Sequence, residues 1–175
     1  MILIIYQTKK TRKKKNVITI KKQESEKKNI TINVELPLDF NIKEFEYLAK
    51  KLYSDMQTYF MNLEYEKLEH ILDQDLYKQF ATQMKLLEKN SKCAIRENFE
   101  FIDFKINDFK EINNKIVINT SLGVIEDKYT SSMNSKVKKD NCSYESYYEI
   151  IYIKKEEWII NSLKLIYSHS NRKKS

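Results

Sequence analysis

Few side chains in this 175-residue chain are equipped for covalent or metal chemistry. His70 and His169 are the only histidines, and their separation rules out a His-Glu-x-x-His zinc pair. Cys93 and Cys142 are too far apart for a zinc knuckle or a Cys-x-x-Cys redox pair. Gly123 and Pro37 are the single glycine and proline. A phosphate-binding loop, a dinucleotide fingerprint and a nucleophile elbow each need closely spaced glycines, because backbone must approach phosphate or turn sharply there. None can be written with one glycine. With no cysteine framework, a reducing compartment is the default.

The elements that would position any site come in two blocks. Residues 1–38 are rich in Lys, Glu, Asn and Gln, with short alternating pieces (Val17, Ile18, Ile20; Ile30, Ile32, Val34) able to add an edge strand. From Asn41 the apolar period becomes helical. Phe45, Leu48, Ala49, Leu52, Met56, Tyr59, Phe60 and Leu63 form one face of a helix of about six turns. Asp39 or Asn41 can cap its start, with Glu44 in capping-box position. A short helix over 64–72 follows, and Asp73 is placed to cap a third running from Gln74 to about Asn90. The period then switches to two. Phe99 and Phe101 alternate, then Ile102, Phe104 and Ile106, and the phase change between Phe101 and Ile102 predicts a bulge. A second strand covers Ile116 to Val124 after a turn at Asn113-Asn114, and 131–141 reads as a polar loop. A third strand spans 144–153, with Tyr144, Ser146, Tyr148, Ile150 and Tyr152 on one face, and a fourth spans 157–167. Helices followed by a strand meander predict an α+β fold: N-terminal helices packed on a curved, mostly antiparallel β-sheet, cone-shaped around an apolar pocket. The domain division is 1–38 as a basic arm, 39–168 as the α+β domain and 169–175 as a basic tail.

The net charge of +7 is unevenly spread. Residues 1–28 hold ten Lys/Arg against two Glu, and Arg172, Lys173 and Lys174 close the chain, so the domain between is net acidic. A basic arm favours anionic partners such as lipid headgroups or nucleic acid. The Lys-, Ile- and Asn-rich bias is also what an AT-rich genome produces without selection for binding. Residues 1–6 are apolar but far short of the ~20 needed to cross a bilayer. They read as an irregular start, with a weak interfacial anchor or the end of a longer apolar segment as alternatives.

Several stretches resemble the Tim-44-like domain family, within the wider nuclear-transport-factor-2-like group of cone-shaped folds. They are Met56-Gln57 with Tyr59-Phe60, Leu68 through Asp73 with Leu76-Tyr77, and Asp127-Lys128-Tyr129. The fullest match is the final hairpin, Glu149 to Lys154 followed by Trp158-Ile159-Ile160 and Leu163. The resemblance covers about residues 42–168. Ile150, Tyr152 and Lys154 stand where the family usually has Trp, Phe and Arg, and polar residues such as Asn134 replace its loop glycines.

The resemblance implies non-catalytic work as a membrane-associated scaffold or lipid-binding, transport-related protein. Its surroundings would be the bacterial cytoplasmic face or the mitochondrial matrix, with a soluble cytoplasmic protein as the alternative. Lys9, Lys10, Arg12, Lys13, Lys14 and Lys15 would meet anionic membrane lipids. A pocket for an acyl-chain ligand would be lined by Tyr59, Phe60, Tyr77, Phe80, Met84, Phe101, Tyr148, Tyr152 and Trp158, although Trp158 fits a core anchor better than a pocket floor. A protein partner is expected, no cofactor or metal is implied, and nucleic acid would be bound only non-specifically. The alternatives are a protein-interaction module or a small-ligand-binding, isomerase-like enzyme on the same cone. Enzymes of that group use a buried carboxylate or histidine as general base, for which Asp55, Asp103 and His70 are the candidates. Asp55 falls on the polar side of the first helix, Asp103 on the phase opposite Phe104, and His70 beside Glu66, Glu69 and Asp73. None of the three is placed to point inward.

Overall fold

A computed structural model describes residues 34, 36–132 and 142–172 of the chain. Three helices come first: α1 (Ile42–Met61), α2 (Tyr65–Ile71) and α3 (Gln74–Lys89). Four strands follow: β1 (Lys92–Ile112), β2 (Lys115–Ser132), β3 (Cys142–Lys154) and β4 (Trp158–Arg172). They form one antiparallel meander in the order β1-β2-β3-β4. Among the described residues, the one parallel contact is an isolated bridge between Leu72 and Ile160. The fold is α+β, with helices packed on one face of a curved sheet.

Asn41 caps α1, its side-chain carbonyl accepting the Glu44 N–H at 3.2 Å. The buried stripe of α1 is Phe45, Ala49, Leu52, Tyr53, Met56, Gln57 and Phe60. It is turned slightly from the expected face: Tyr53 and Gln57 go inside, while Leu48, Tyr59 and Leu63 are half-buried. Asp73 precedes α3, but its side chain makes no cap hydrogen bond. Its carboxylate pairs with Lys155 at 3.3 Å, and its N–H donates to the Ile160 carbonyl at 2.8 Å, tying the α2–α3 junction to β4.

The strands are longer than side-chain alternation indicates. β1 begins at Lys92 and β2 continues to Ser132, so Ser131 and Ser132 belong to the sheet, and 133–141 lie outside the described residues. β4 continues past 168 to Arg172, because the start of β3 supplies ladder partners: Cys142 opposite Arg172, Tyr144 opposite Ser170. Backbone pairing, which leaves no mark on side-chain pattern, sets these ends. Asn113 and Asn114 both have positive φ (51° and 61°), the requirement of a tight two-residue hairpin turn.

Every irregularity in the sheet falls in an edge strand. The β2–β3 register is unbroken from Ile116 opposite Lys154 to Glu126 opposite Tyr144. β1 shifts register against β2 at Glu97/Glu100, Phe101/Asp103 and Ile106/Asp108, the middle shift leaving Ile102 as the extra residue at the predicted bulge. β4 shifts against β3 twice, with Ile166 and Asn161 as the extra residues. Bulges bend a strand and increase its twist, so edges bulged around a regular centre curl over the helices. They also disrupt the free edges as templates for further strands. The core inside this curl includes Met56, Leu68, Met84, Ile118, Leu122, Val124, Ile150, Tyr152 and Ile160, all fully buried.

Candidate functional site

Among the described residues, two of the regions that carry polar groups stand out, one by burial and one by concavity. The first lies on the inner face toward the start of β1. Arg96 and Lys128 are directly opposite across the β1–β2 ladder, and Glu126, two residues before Lys128, shares their face. The Arg96 side chain is 5% exposed, Glu126 3% and Lys128 10%. Arg96 Nε pairs with Glu126 Oε2, and Lys128 Nζ reaches Glu126 Oε1 at 3.2 Å. Lys128 also donates to Ser146 Oγ at 3.2 Å and the Tyr148 hydroxyl at 3.3 Å. The Arg96 guanidinium covers Phe99 at 3.6 Å and Tyr53 at 5.1 Å from the ring centres. Burial first, then the neighbouring Tyr148, pushes the Tyr53 hydroxyl pKa well up. One carboxylate shared by two cations and covered by aromatic rings is a buried ionic lock, in which Arg96 Nη2 and the Tyr53 hydroxyl have no hydrogen-bond partner among the described residues.

The second region is an open cleft of about 520 Å³ where α1 begins and the four strands turn. Phe40, Phe45, Tyr47 and Leu48 line it from the helix side, and Phe109, Ile116, Lys154 and Trp158 from the sheet side. The rings form a continuous chain: Phe109 to Phe40 at 5.3 Å, Phe40 to Phe45 at 5.6 Å, and Phe45 to Trp158 at 5.0 Å. Asp39 and Glu44 bring two carboxylates to the lining, and Lys154 brings one amine, its Nζ 6.0 Å from the Trp158 ring centre. Around this mouth stand Leu38, fully exposed, Tyr47 at 71% and the exposed Ile42. Ile112 is exposed at the same end of the sheet, as the last residue of β1.

Of the nine residues expected to line a pocket, Trp158 alone reaches this cleft. Phe60, Phe80, Met84, Tyr148 and Tyr152 are buried, packed in the core. Phe60 meets Phe80 edge-on at 5.5 Å, and the Tyr152 hydroxyl donates to the Ala49 carbonyl at 3.1 Å. α1 lies in the concavity of the sheet and fills it with Phe45, Tyr53, Met56 and Phe60. Phe101 is half-buried against Phe99 and Tyr53; Tyr77 is half-buried; Tyr59 is half-buried beneath the Lys67 amine. None of the three candidate bases is buried, and Asp55 is half-buried. Asp55 accepts from Lys51 at 2.6 Å and raises that amine's pKa, and Asp103 and His70 are exposed. Lys9, Lys10, Arg12, Lys13, Lys14 and Lys15 lie outside the described residues. Among the described residues, no cluster of His, Cys, Asp and Glu could hold a metal ion, and no helix is long and apolar enough to cross a membrane.

Side-chain pattern pointed to neither region in full. Phe40 and Phe109 carry the cleft but sit at element ends where no period extends to them. Arg96 and Lys128 are ordinary charges until the register sets them face to face.

The fold and the cleft together define a small α+β domain with an aromatic-walled recess at one end. No family model matches the chain, and no curated protein matches it. Among solved structures, it is similar to the intermembrane-space region of the chloroplast protein ARC6, with 12% identity and a TM-score of 0.41, covering 68% of this chain and 94% of that one. It is also similar to a de novo designed β-sheet protein, with 15% identity and a TM-score of 0.33, covering 75% of this chain and 92% of that one.

Proposed function

We propose that this chain is a non-catalytic peripheral membrane scaffold of the Tim-44-like type, held on an anionic membrane surface by its lysine-rich N-terminal arm. The observation that carries this reading is the apolar rim of Leu38, Ile42, Tyr47 and Ile112 at the end of the domain that the arm joins in sequence. Exposed apolar side chains gathered at one end mark an interaction surface. Stable peripheral binding takes two signals, such as apolar insertion plus a polybasic segment. Lys9, Lys10, Arg12, Lys13, Lys14 and Lys15 supply the second, at about 1 kcal/mol each near an anionic leaflet. The exposure of Asp103 and His70 and the pairing of the half-buried Asp55 with Lys51 support a non-catalytic role, since a general base of that kind needs burial. The membrane face would be the bacterial cytoplasmic side or the mitochondrial matrix side, with a protein partner carried there.

Co-sedimentation with phosphatidylglycerol- or cardiolipin-containing vesicles tests the reading. Binding is expected to fall steeply with salt and to be lost on deletion of residues 1–28. The double variant Leu38→Ser/Ile42→Ser is expected to weaken it at unchanged charge. Binding that survives the deletion undiminished would refute the arm's role.

A further inference from the structure

We propose that the cleft at the start of α1 binds the zwitterionic headgroup of a single-chain amphiphile of the phosphocholine or phosphoethanolamine type. The charges of the lining have a definite layout. Asp39 and Glu44 come from the α1 side, and Lys154 comes from the end of β3 on the sheet side. The rings of Phe40, Phe45 and Trp158 share the lining with them, Trp158 next to the Lys154 amine. A purely anionic headgroup would meet two carboxylates for one amine, and a purely cationic one would meet Lys154. A headgroup carrying both charges satisfies both sides.

The aromatic wall favours a trimethylammonium or ammonium group, because the negative face of an aromatic ring attracts cations, tryptophan most strongly. Lys154 already lies over Trp158 and shows that this ring accepts a cation. Its amine is exposed, so it can turn to a phosphate and leave the ring to the ligand's ammonium. The volume of about 520 Å³ falls within the range of small-ligand sites. The half-buried Leu48 and Ile116 in the lining offer apolar surface to the first methylenes of a chain. This goes beyond membrane docking through the arm, and it is tested without membranes, so each can fail alone.

Trp158 is the only tryptophan of the chain, so its emission reports directly on the cleft. The full chain is titrated with dodecylphosphocholine, dodecyltrimethylammonium and dodecyl phosphate below their micelle-forming concentrations, and with free phosphocholine. The expected order of affinity is phosphocholine amphiphile, then trimethylammonium, then phosphate, with free phosphocholine weaker than its dodecyl form. Glu44→Gln, at an exposed position, is expected to weaken the first two by about two- to fivefold and leave dodecyl phosphate unchanged or tighter. Lys154→Gln is expected to weaken dodecylphosphocholine and spare dodecyltrimethylammonium. Equal affinity for the three dodecyl compounds would overturn the proposal by showing a plain apolar slot. Tightest binding of dodecyl phosphate, or no change in Trp158 emission with any of them, would overturn it as well.

Discussion

Arg96 lies over Phe99, its guanidinium carbon 3.6 Å from the ring centre, while its Nε is paired with the buried Glu126. The stacking shields one side of the ion pair from water, and Lys128 completes its other side. Removing a single member of such a buried set leaves uncompensated charge, which costs more than the intact set contributes. Glu126→Leu leaves Arg96 and Lys128 facing each other across the ladder without an anion. It is expected to destabilise by about 3–5 kcal/mol in urea unfolding. Arg96→Met, which leaves Glu126 with Lys128, is expected to cost less. A Glu126→Leu variant as stable as the parent would show that the cluster is neutralised by other means.

Gly123 faces outward from β2, where the bulge at Ile102 brings β1 close. A Cβ there would meet Tyr147 Cε1 at 2.8 Å, Asp103 Cβ at 3.0 Å and Ile102 Cγ1 at 3.1 Å. Gly123→Ala therefore overpacks the contact between β1, β2 and β3, with an expected cost of about 1–3 kcal/mol. In a Tyr147→Ser background the cost should shrink, because the nearest obstruction is gone. Chemical denaturation of the two single variants and the double variant reads out that coupling; additive costs would place the clash elsewhere.

Alkaline pH should unfold the domain through its tyrosines. Burial, before any other cause, raises the pKa values of Tyr53 and Tyr152 well above their usual range. Burial and then the Glu88 carboxylate, at 2.5 Å, push Tyr65 up to about 12. In the unfolded chain these phenols ionise near pH 10. Between those values the folded state holds protons that the unfolded state releases, so stability is full below about pH 10 and falls as pH rises. The denaturation midpoint should hold to about pH 10 and drop from there to about pH 12, and phenolate absorbance should show a late, cooperative step as buried tyrosines ionise on unfolding. A midpoint independent of pH in that window contradicts this assignment.

The β1–β2 turn offers a gain rather than a loss. Asn113 and Asn114 both sit in the left-handed region, where glycine meets no Cβ penalty. Asn114→Gly creates the Asn-Gly sequence favoured in such hairpins and should raise the stability by up to about 1 kcal/mol. Thermal unfolding checks it, and a lowered midpoint would mean that the Asn114 side chain has an unrecognised role.

Much of the scaffold was legible beforehand because it is local. The helical period ran from Phe45 to Phe60, the double asparagine marked the hairpin, and the phase change at Ile102 marked a bulge that the register confirms. Tyr53 escaped that reading because it lies one position off the apolar stripe and is buried only once Phe99, Phe101 and Tyr148 close around it. Tyr59 went the other way: it keeps helical spacing, yet Lys67 rather than the core covers its ring. Ser131 and Ser132 read as loop because their polarity says nothing about pairing, which their partners in β1 decide.

By itself, then, the amino-acid sequence determined the order and type of the elements and excluded glycine-loop chemistry. Both follow from backbone period and residue type, which act over a few positions. Which polar residues go inside, and where a recess opens, only the tertiary structure decided. Arg96, Glu126 and Lys128 meet because β1 and β2 pair in one register. The cleft exists because the start of α1 meets the ends of four strands, an arrangement of residues far apart in the chain that no local pattern records.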